Sequence, residues 1–347
     1  MKRIISRIIL LVFLIAIVFY WLFWVPSSSF EGKSTFFIIA EDKKDKASIL
    51  EEMQKSRIIK SKWPFSLAAS ALGVWDKIRP GKYEVKRGQS LLDIARMLKN
   101  GRLAEIKLVI NRIRIKEDLA KLIAKNFSTD SAVVMRYISS NDSLRKFNVD
   151  THTVFTMIIP DTYIFYWNTP LWKILRRLSD TKTQFWLNKD RLGKAKSKGL
   201  SPEEVYTLAS IVTEESNHDS DKYKIASVYL NRLKAGMPLQ ADPTVKYAMK
   251  DFSITRVYKK HLVNPSPYNT YRHSGLPPGP ISTPSAKTID IILNAPKTDY
   301  LFFVAKSDFS GYHNFSNTYT EHLIYASQYQ KALDAYMARK LQNEPRP

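Results

Sequence analysis

Hydrophobic residues follow several distinct patterns along this chain. The first is an unbroken run. Lys2, Arg3 and Arg7 precede an uncharged apolar stretch from Ile8 to Val25. At about 1.5 Å per residue that stretch spans roughly 27 Å as a helix, close to the hydrocarbon thickness of a bilayer. Trp21 and Trp24 stand at its far end, where interfacial aromatics belong. A cleaved signal peptide would have a shorter apolar region and a small-residue cleavage site. Val25-Pro26 follows here without one. The pattern predicts an uncleaved, single-pass anchor in the cytoplasmic membrane. Its basic leader would stay inside, and the chain from about residue 27 on would be extracytoplasmic.

Next come short alternating and helical periods. Ser34–Ile39 reads as a strand, residues 46–55 as a helix and Gly81–Val85 as a strand. Ser90 caps a helix whose apolar positions are Leu91, Ile94, Ala95 and Leu98, Asn100-Gly101 ends it, and Glu105–Ile110 returns as a strand. From Asn111 to about Leu200 the chain is mostly helical and basic. Ile174, Leu175 and Leu178 sit among many cations, so part of residues 173–198 should be a solvated helix face. Ser201-Pro202-Glu203-Glu204 then opens a helix with a capping box and proline at the first helical position. Val205, Leu208, Ala209 and Val212 follow as an apolar stripe. A second amphipathic helix carries Ile225, Val228, Tyr229 and Leu233, and Gly236 stops it. Tyr300–Ala305 reads as a buried strand, with His313-Asn-Phe315 after it. The fold class is α+β: leader and transmembrane helix over 1–29, a small α/β domain over 30–111, and a larger mixed domain over 112–347.

Composition narrows the chemistry. The 347 residues contain no cysteine, so disulfides and thiolate metal sites are excluded. The six histidines have no metal-ligand spacing, and no phosphate-binding loop or serine-nucleophile motif is present. No metal or cofactor is expected. The formal charge of +22 suits nucleic acid, anionic lipid or an acidic polymer such as the cell wall. An extracytoplasmic location argues against nucleic acid.

The stripe of the 201–215 helix ends in two carboxylates. At 100° per residue Glu215 falls between Leu208 and Ile211, on the apolar edge, and Glu214 falls nearly opposite, toward solvent. A carboxyl held against apolar groups has a raised pKa, as a general acid near neutral pH requires. A helix-end carboxylate bonded to a neighbouring loop is the other reading of the same geometry.

Ordered motifs follow: Ala209 to Asn217, Leu239-Gln-Ala-Asp-Pro-Thr-Val245, Pro267-Tyr-Asn-Thr-Tyr271 and Gly275 to Pro284, with Pro160-Asp-Thr-Tyr163 upstream. From about Pro160 to the helix after Phe315 the chain resembles the catalytic domain of the MltG (YceG-like) endolytic murein transglycosylases. The Glu-Gly that usually precedes Pro-Asp-Thr-Tyr is absent; Phe155 and Thr156 stand there.

The resemblance implies an enzyme, a lyase that cleaves the bond between N-acetylmuramic acid and N-acetylglucosamine in peptidoglycan strands and leaves 1,6-anhydro ends. Glu215 falls at the family's catalytic glutamate. Gln240, Asp242, Thr244, Tyr268, Asn269 and Tyr271 become candidate substrate-binding residues. Read from residue types alone, Asp242 before Pro243 also fits an N-cap of a helix over Pro243–Met249, and the tyrosines also fit loop packing. Partners implied are glycan strands, the membrane and cell-wall synthases. Tyr83 to Ala95 resembles a LysM-type repeat, a module associated with glycan binding; a spacer without ligand is the alternative. Rival functions are a muramidase using Glu215 with Asp242, and a non-catalytic wall-binding protein.

Overall fold

The computed structural model describes residues 2–24 and 28–343. The chain divides into two compact units. The first holds the residues up to Leu108 together with Asn126–Ser128 and Ile164–Pro170; the second holds Val109–Lys125, Thr129–Tyr163 and the chain from Leu171 on.

The first unit begins with helix α1, Lys2–Trp24. Among the described residues no helix is long and apolar enough to cross a membrane. The expected span includes Val25 and the side chain of Trp21, which lie outside the described residues. Strand β1, Ser34–Ile39, pairs antiparallel with β2, Gly81–Lys86, in a register that sets Phe37 opposite Tyr83. Their rings stack at 5.5 Å. Between them lie α2, Lys46–Lys55, and α3, Lys62–Ala71. The sequence reading missed α3, because Pro64 masks its period; proline is harmless in a first turn. Helix α4, Leu91–Lys99, starts at the expected Ser90, which forms a capping box with Asp93. Leu91, Ile94, Ala95 and Leu98 are all buried. Strand β3, Glu105–Val109, follows.

The second unit is mostly helical. It contains α5 (Lys116–Asn126), which enters the first unit at its last residue, α6 (Ser131–Ile138) and α7 (Asn141–Arg145). Phe155 and Thr156, where the family has Glu-Gly, are buried in a 3-10 turn. Strand β4, Thr162–Tyr166, pairs with β3, and its residues from Ile164 belong to the first unit. Asp161 accepts a hydrogen bond from the Thr162 backbone N–H at 2.6 Å, while Tyr163 donates to the Ile159 carbonyl at 2.5 Å. The Pro-Asp-Thr-Tyr motif thus folds a turn. Helices α8 (Leu171–Leu187) and α9 (Arg191–Ser197) follow, with Ile174, Leu175 and Leu178 inward.

Helix α10, Pro202–Glu215, is the axis of this unit, and the Ser201–Glu204 capping box fixes its start. The expected stripe is buried, but so are Tyr206, Thr207, Ser210 and Ile211. The helix is therefore enclosed rather than amphipathic. Its polar residues tolerate this because their hydroxyls are bonded: Thr207 donates to the Glu203 carbonyl at 2.8 Å and Ser210 to the Thr207 carbonyl at 2.7 Å. Each fully buried Val, Leu or Ile contributes about 1.5–3 kcal/mol, which fixes the helix and hence the carboxyl at its end. Packed around it are α11 (Asp219–Lys234), α12 (Asp242–Met249) and α14 (Ala286–Leu293), the short α13 (Lys259–Leu262) lying between the last two in sequence. Strands β5 (Phe302–Ala305) and β6 (His313–Ser316) pair antiparallel before the long α15 (Tyr319–Asn343). Strand β5 is only half-buried, not buried as its apolar run suggests.

Candidate functional site

Glu215 is the last residue of α10, and Ser216 turns the chain into extended geometry. The carboxyl emerges where the enclosed helix meets a cavity of about 360 Å³. Its walls include Arg112, Arg114, Glu214, His218, Lys246 and Tyr247. Burial pushes Glu215 up to about 7. A hydrogen bond from Tyr229 opposes the shift, the nearby Asp242 carboxylate adds to it, and Lys246 works against it. Tyr229, on the facing side of α11, donates to Glu215 Oε1 at 2.5 Å. Of the two readings left open for Glu215, its hydrogen-bond partner is the buried Tyr229 of a neighbouring helix rather than a loop at the surface.

Glu214 does not point to solvent as the helix wheel predicts. Its side chain is only 12 % exposed, and Arg114 donates to its Oε2 through Nε at 3.2 Å and Nη2 at 2.8 Å. Arg112 approaches Oε1 to 3.6 Å. The wheel fails because it treats the far face of α10 as surface, whereas the segment after β3 crosses it. Thr283 pins that segment. Its hydroxyl donates to the Asn111 carbonyl at 2.9 Å and accepts from the Ile113 N–H at 2.9 Å, and its own N–H meets the Ile113 carbonyl at 2.8 Å. The Gly275 to Pro284 loop thus walls the cavity through Ile281 and also positions both arginines. Ile281 in turn donates to the Ser210 hydroxyl at 3.0 Å. Gly279 is required in this loop, since a β-carbon there would collide with the His152 carbonyl oxygen.

The other candidates separate into groups. Asp242 is the first residue of α12, with Ala241 at the N-cap and no cap bond from a side chain. Its Oδ1 accepts from the Tyr271 hydroxyl at 2.6 Å. Burial and this bond together raise Tyr271 far above the usual phenol range. Lys246, one turn on from Asp242, reaches the cavity. Tyr268 lies apart from it. It lines a second cavity of about 250 Å³ with His152 and Lys116, and packs 4.7 Å from Tyr247, which borders both spaces.

Thr244 and Asn269 are taken up by bonds within the protein, and Gln240 lies outside the lining of the cavity. Thr244 is fully buried, and its hydroxyl bonds the Ala241 carbonyl at 2.6 Å and the Thr270 hydroxyl at 2.8 Å. Asn269 is fully buried. Its amide donates to the Leu262 and Asn264 carbonyls at 2.9 and 2.8 Å, and its oxygen accepts from the Tyr271 N–H at 3.1 Å. Gln240 is exposed at a left-handed φ of 52°, and its N–H donates to the Thr270 carbonyl at 3.1 Å. These residues build the turn that aims Asp242 and Tyr271. Short polar side chains near a proline are equally suited to either role, so the sequence alone does not separate them.

Sequence reading missed Tyr229, Arg112, Arg114, Lys246 and His218. Tyr229 was assigned to the apolar face of its helix, and its hydroxyl went unused. His218 stacks on Tyr312 at 4.0 Å beside Gly311. Arg232 is buried and donates to the Leu301 carbonyl at 2.7 Å and the Leu239 carbonyl at 2.8 Å, so it ties α11 to the approach of α12.

The Glu215 carboxyl, half-buried at the end of a rigid helix among cationic side chains, is suited to acid catalysis on a polar substrate. The comparisons place the chain more closely. It matches the YceG-like family over residues 38–328, and it belongs to that family. It is 31 % identical over 329 residues to the endolytic murein transglycosylase of Bacillus subtilis, covering 89 % of this chain and 87 % of that protein. The Streptococcus pneumoniae protein of the same name is 39 % identical over 114 residues, 32 % of this chain and 21 % of that one. A crystal structure of a yceG-like protein from Listeria monocytogenes shares the fold, with a TM-score of 0.55 at 24 % identity over 84 % of this chain and 98 % of that one.

Proposed function

We propose that this protein is a membrane-anchored endolytic transglycosylase acting in cell-wall assembly. It cuts the bond between N-acetylmuramic acid and N-acetylglucosamine within peptidoglycan strands and leaves 1,6-anhydro ends. The observation that carries this reading is Glu215, a single acid held up to about 7 by burial at the wall of an open cavity. The other carboxylate in that wall, Glu214, is neutralised by arginines.

In the first step Glu215 protonates the leaving O4 of N-acetylglucosamine as the C1–O4 bond breaks. Its carboxylate then takes the proton from the muramic acid's own 6-hydroxyl, and O6 closes on C1. No water enters, and the tethered nucleophile gains from proximity. The names of the Bacillus and Streptococcus relatives support this activity. A muramidase would need a second carboxylate to activate water or attack C1, and Asp242 would have to serve while holding the Tyr271 hydroxyl.

The basic leader and the apolar run from Ile8 support a single-pass anchor with the catalytic unit outside the cytoplasm. The first unit, with its β1–β2 pair and the Ser90-capped α4, suits a LysM-like module that holds glycan and so raises its effective concentration. Cell-wall synthases are the partners such an activity would serve. The deciding experiment is mass spectrometry of the ends released from purified glycan strands. Anhydro ends are expected; reducing ends would make the protein a hydrolase, and no cleavage would make it a binder.

A further inference from the structure

We infer that Arg112 is a specificity residue that receives a carboxylate borne by the glycan strand, an inference that rests on the glycan-cleaving reading above. The two arginines beside Glu214 are not equivalent. Arg114 is committed. Two of its nitrogens hold Glu214 Oε2, and its guanidinium lies over the Phe252 ring at 5.2 Å. Arg112 is not. Its Nη1 stands 3.6 Å from Glu214 Oε1, longer than a hydrogen bond, and that oxygen is buried with no donor among the described residues. The Arg112 side chain is 45 % exposed and faces the cavity that Glu215 lines.

Lys246 shares that cavity and forms no ion pair among the described residues. The wall therefore carries three cationic side chains, Arg112, Arg114 and Lys246, beside the Glu214 and Glu215 carboxyls. A planar guanidinium with unused donors matches a carboxylate in a two-point geometry. Its backbone is already fixed by Thr283 on either side, at Asn111 and Ile113, so little ordering is left to be paid on binding.

A muramic residue carries a lactyl ether near the bond to be broken. Its carboxyl is either free or joined to a peptide that bears carboxylates of its own. Both sources offer the same chemistry to Arg112, and the experiment separates them.

Three preparations of strands of one length are compared: with peptide stems, stripped to the free lactyl carboxylate, and stripped and converted to the neutral carboxamide. Binding and steady-state cleavage are measured for the full-length protein, Arg112→Gln and Arg112→Lys. The wild type should bind neutral strands about ten- to a hundredfold more weakly than its preferred charged form. Arg112→Gln should bring charged strands down to that level through KM with little change in kcat, and Arg112→Lys should recover part of the loss. If stems supply the carboxylate, stripped strands will behave as neutral ones; if the lactyl group does, they will match or exceed intact strands. Equal wild-type affinity for all three overturns the inference, as does an Arg112→Gln loss confined to kcat and equal on every strand. Discrimination in binding without cleavage would leave Arg112 its role and sink the transglycosylase reading instead.

Discussion

Tyr229 donates its hydroxyl proton to Glu215 Oε1 at 2.5 Å, bridging α11 to the end of α10. This bond favours the carboxylate, whereas burial favours the neutral acid and outweighs it, leaving Glu215 at about 7. Tyr229→Phe removes the opposing influence. Glu215 should then rise further, and the alkaline limb of the cleavage profile should move upward by up to about one pH unit. A pH–rate profile of the variant checks this; a limb that stays in place or moves down would break the assignment of the limb to Glu215.

Glu215→Gln should keep the fold and abolish cleavage, because an amide cannot donate and then recover a proton. The same variant reports on stability. The folded-state value, about 7, lies above the ordinary 4.5, so the protonated group's contribution is complete below about pH 4.5 and is lost as pH rises through 7. At about 1.4 kcal/mol per unit the loss is roughly 3 to 4 kcal/mol. Urea denaturation should show the variant matching wild type at pH 4 and exceeding it at pH 8.

Glu214→Gln should act with the opposite sign to Tyr229→Phe. The Glu214 charge helps hold Glu215 up, so its removal should shift the alkaline limb to lower pH. Arg114 also loses its charged partner. Activity should fall about tenfold, far less than in Glu215→Gln, because the glutamine amide oxygen still accepts from Arg114. A limb moving upward would contradict this.

Asn269→Ala should behave as a folding variant. Three bonds from its buried side chain shape the turn before Tyr271, and leaving those backbone groups unpaired costs about 1–3 kcal/mol apiece. The expected outcome is a large drop in the denaturation midpoint. An unchanged midpoint with a raised KM would restore Asn269 as a direct sugar contact.

Much of the local structure was legible in the sequence because short-range chemistry decides it. The Ser90 and Ser201 caps, the stripe of α10 and the stop at Gly236 depend on residues within a turn or two of one another. Glu215 was found because its position on the helix edge needs only the helical period. Glu214 was misplaced because its environment is set by Arg112 and Arg114, about a hundred residues away in sequence. The internal bonds of Thr244 and Asn269 are hidden for the converse reason: their partners, Thr270 and the Leu262 and Asn264 carbonyls, lie in loops without a period to read.

The bond from Thr283 to the Asn111 carbonyl closes a sequence separation of 172 residues. The two arginines beside Glu214 wait on that closure, whereas the acid itself sits in a helix capped by its own neighbours. During synthesis α10 and its carboxyl can therefore take shape well before the arginines have anything to fasten them. A nascent chain halted short of the Gly275 to Pro284 loop would own the acid without the clamp that fixes its rim, so the full site assembles only after that loop has been made.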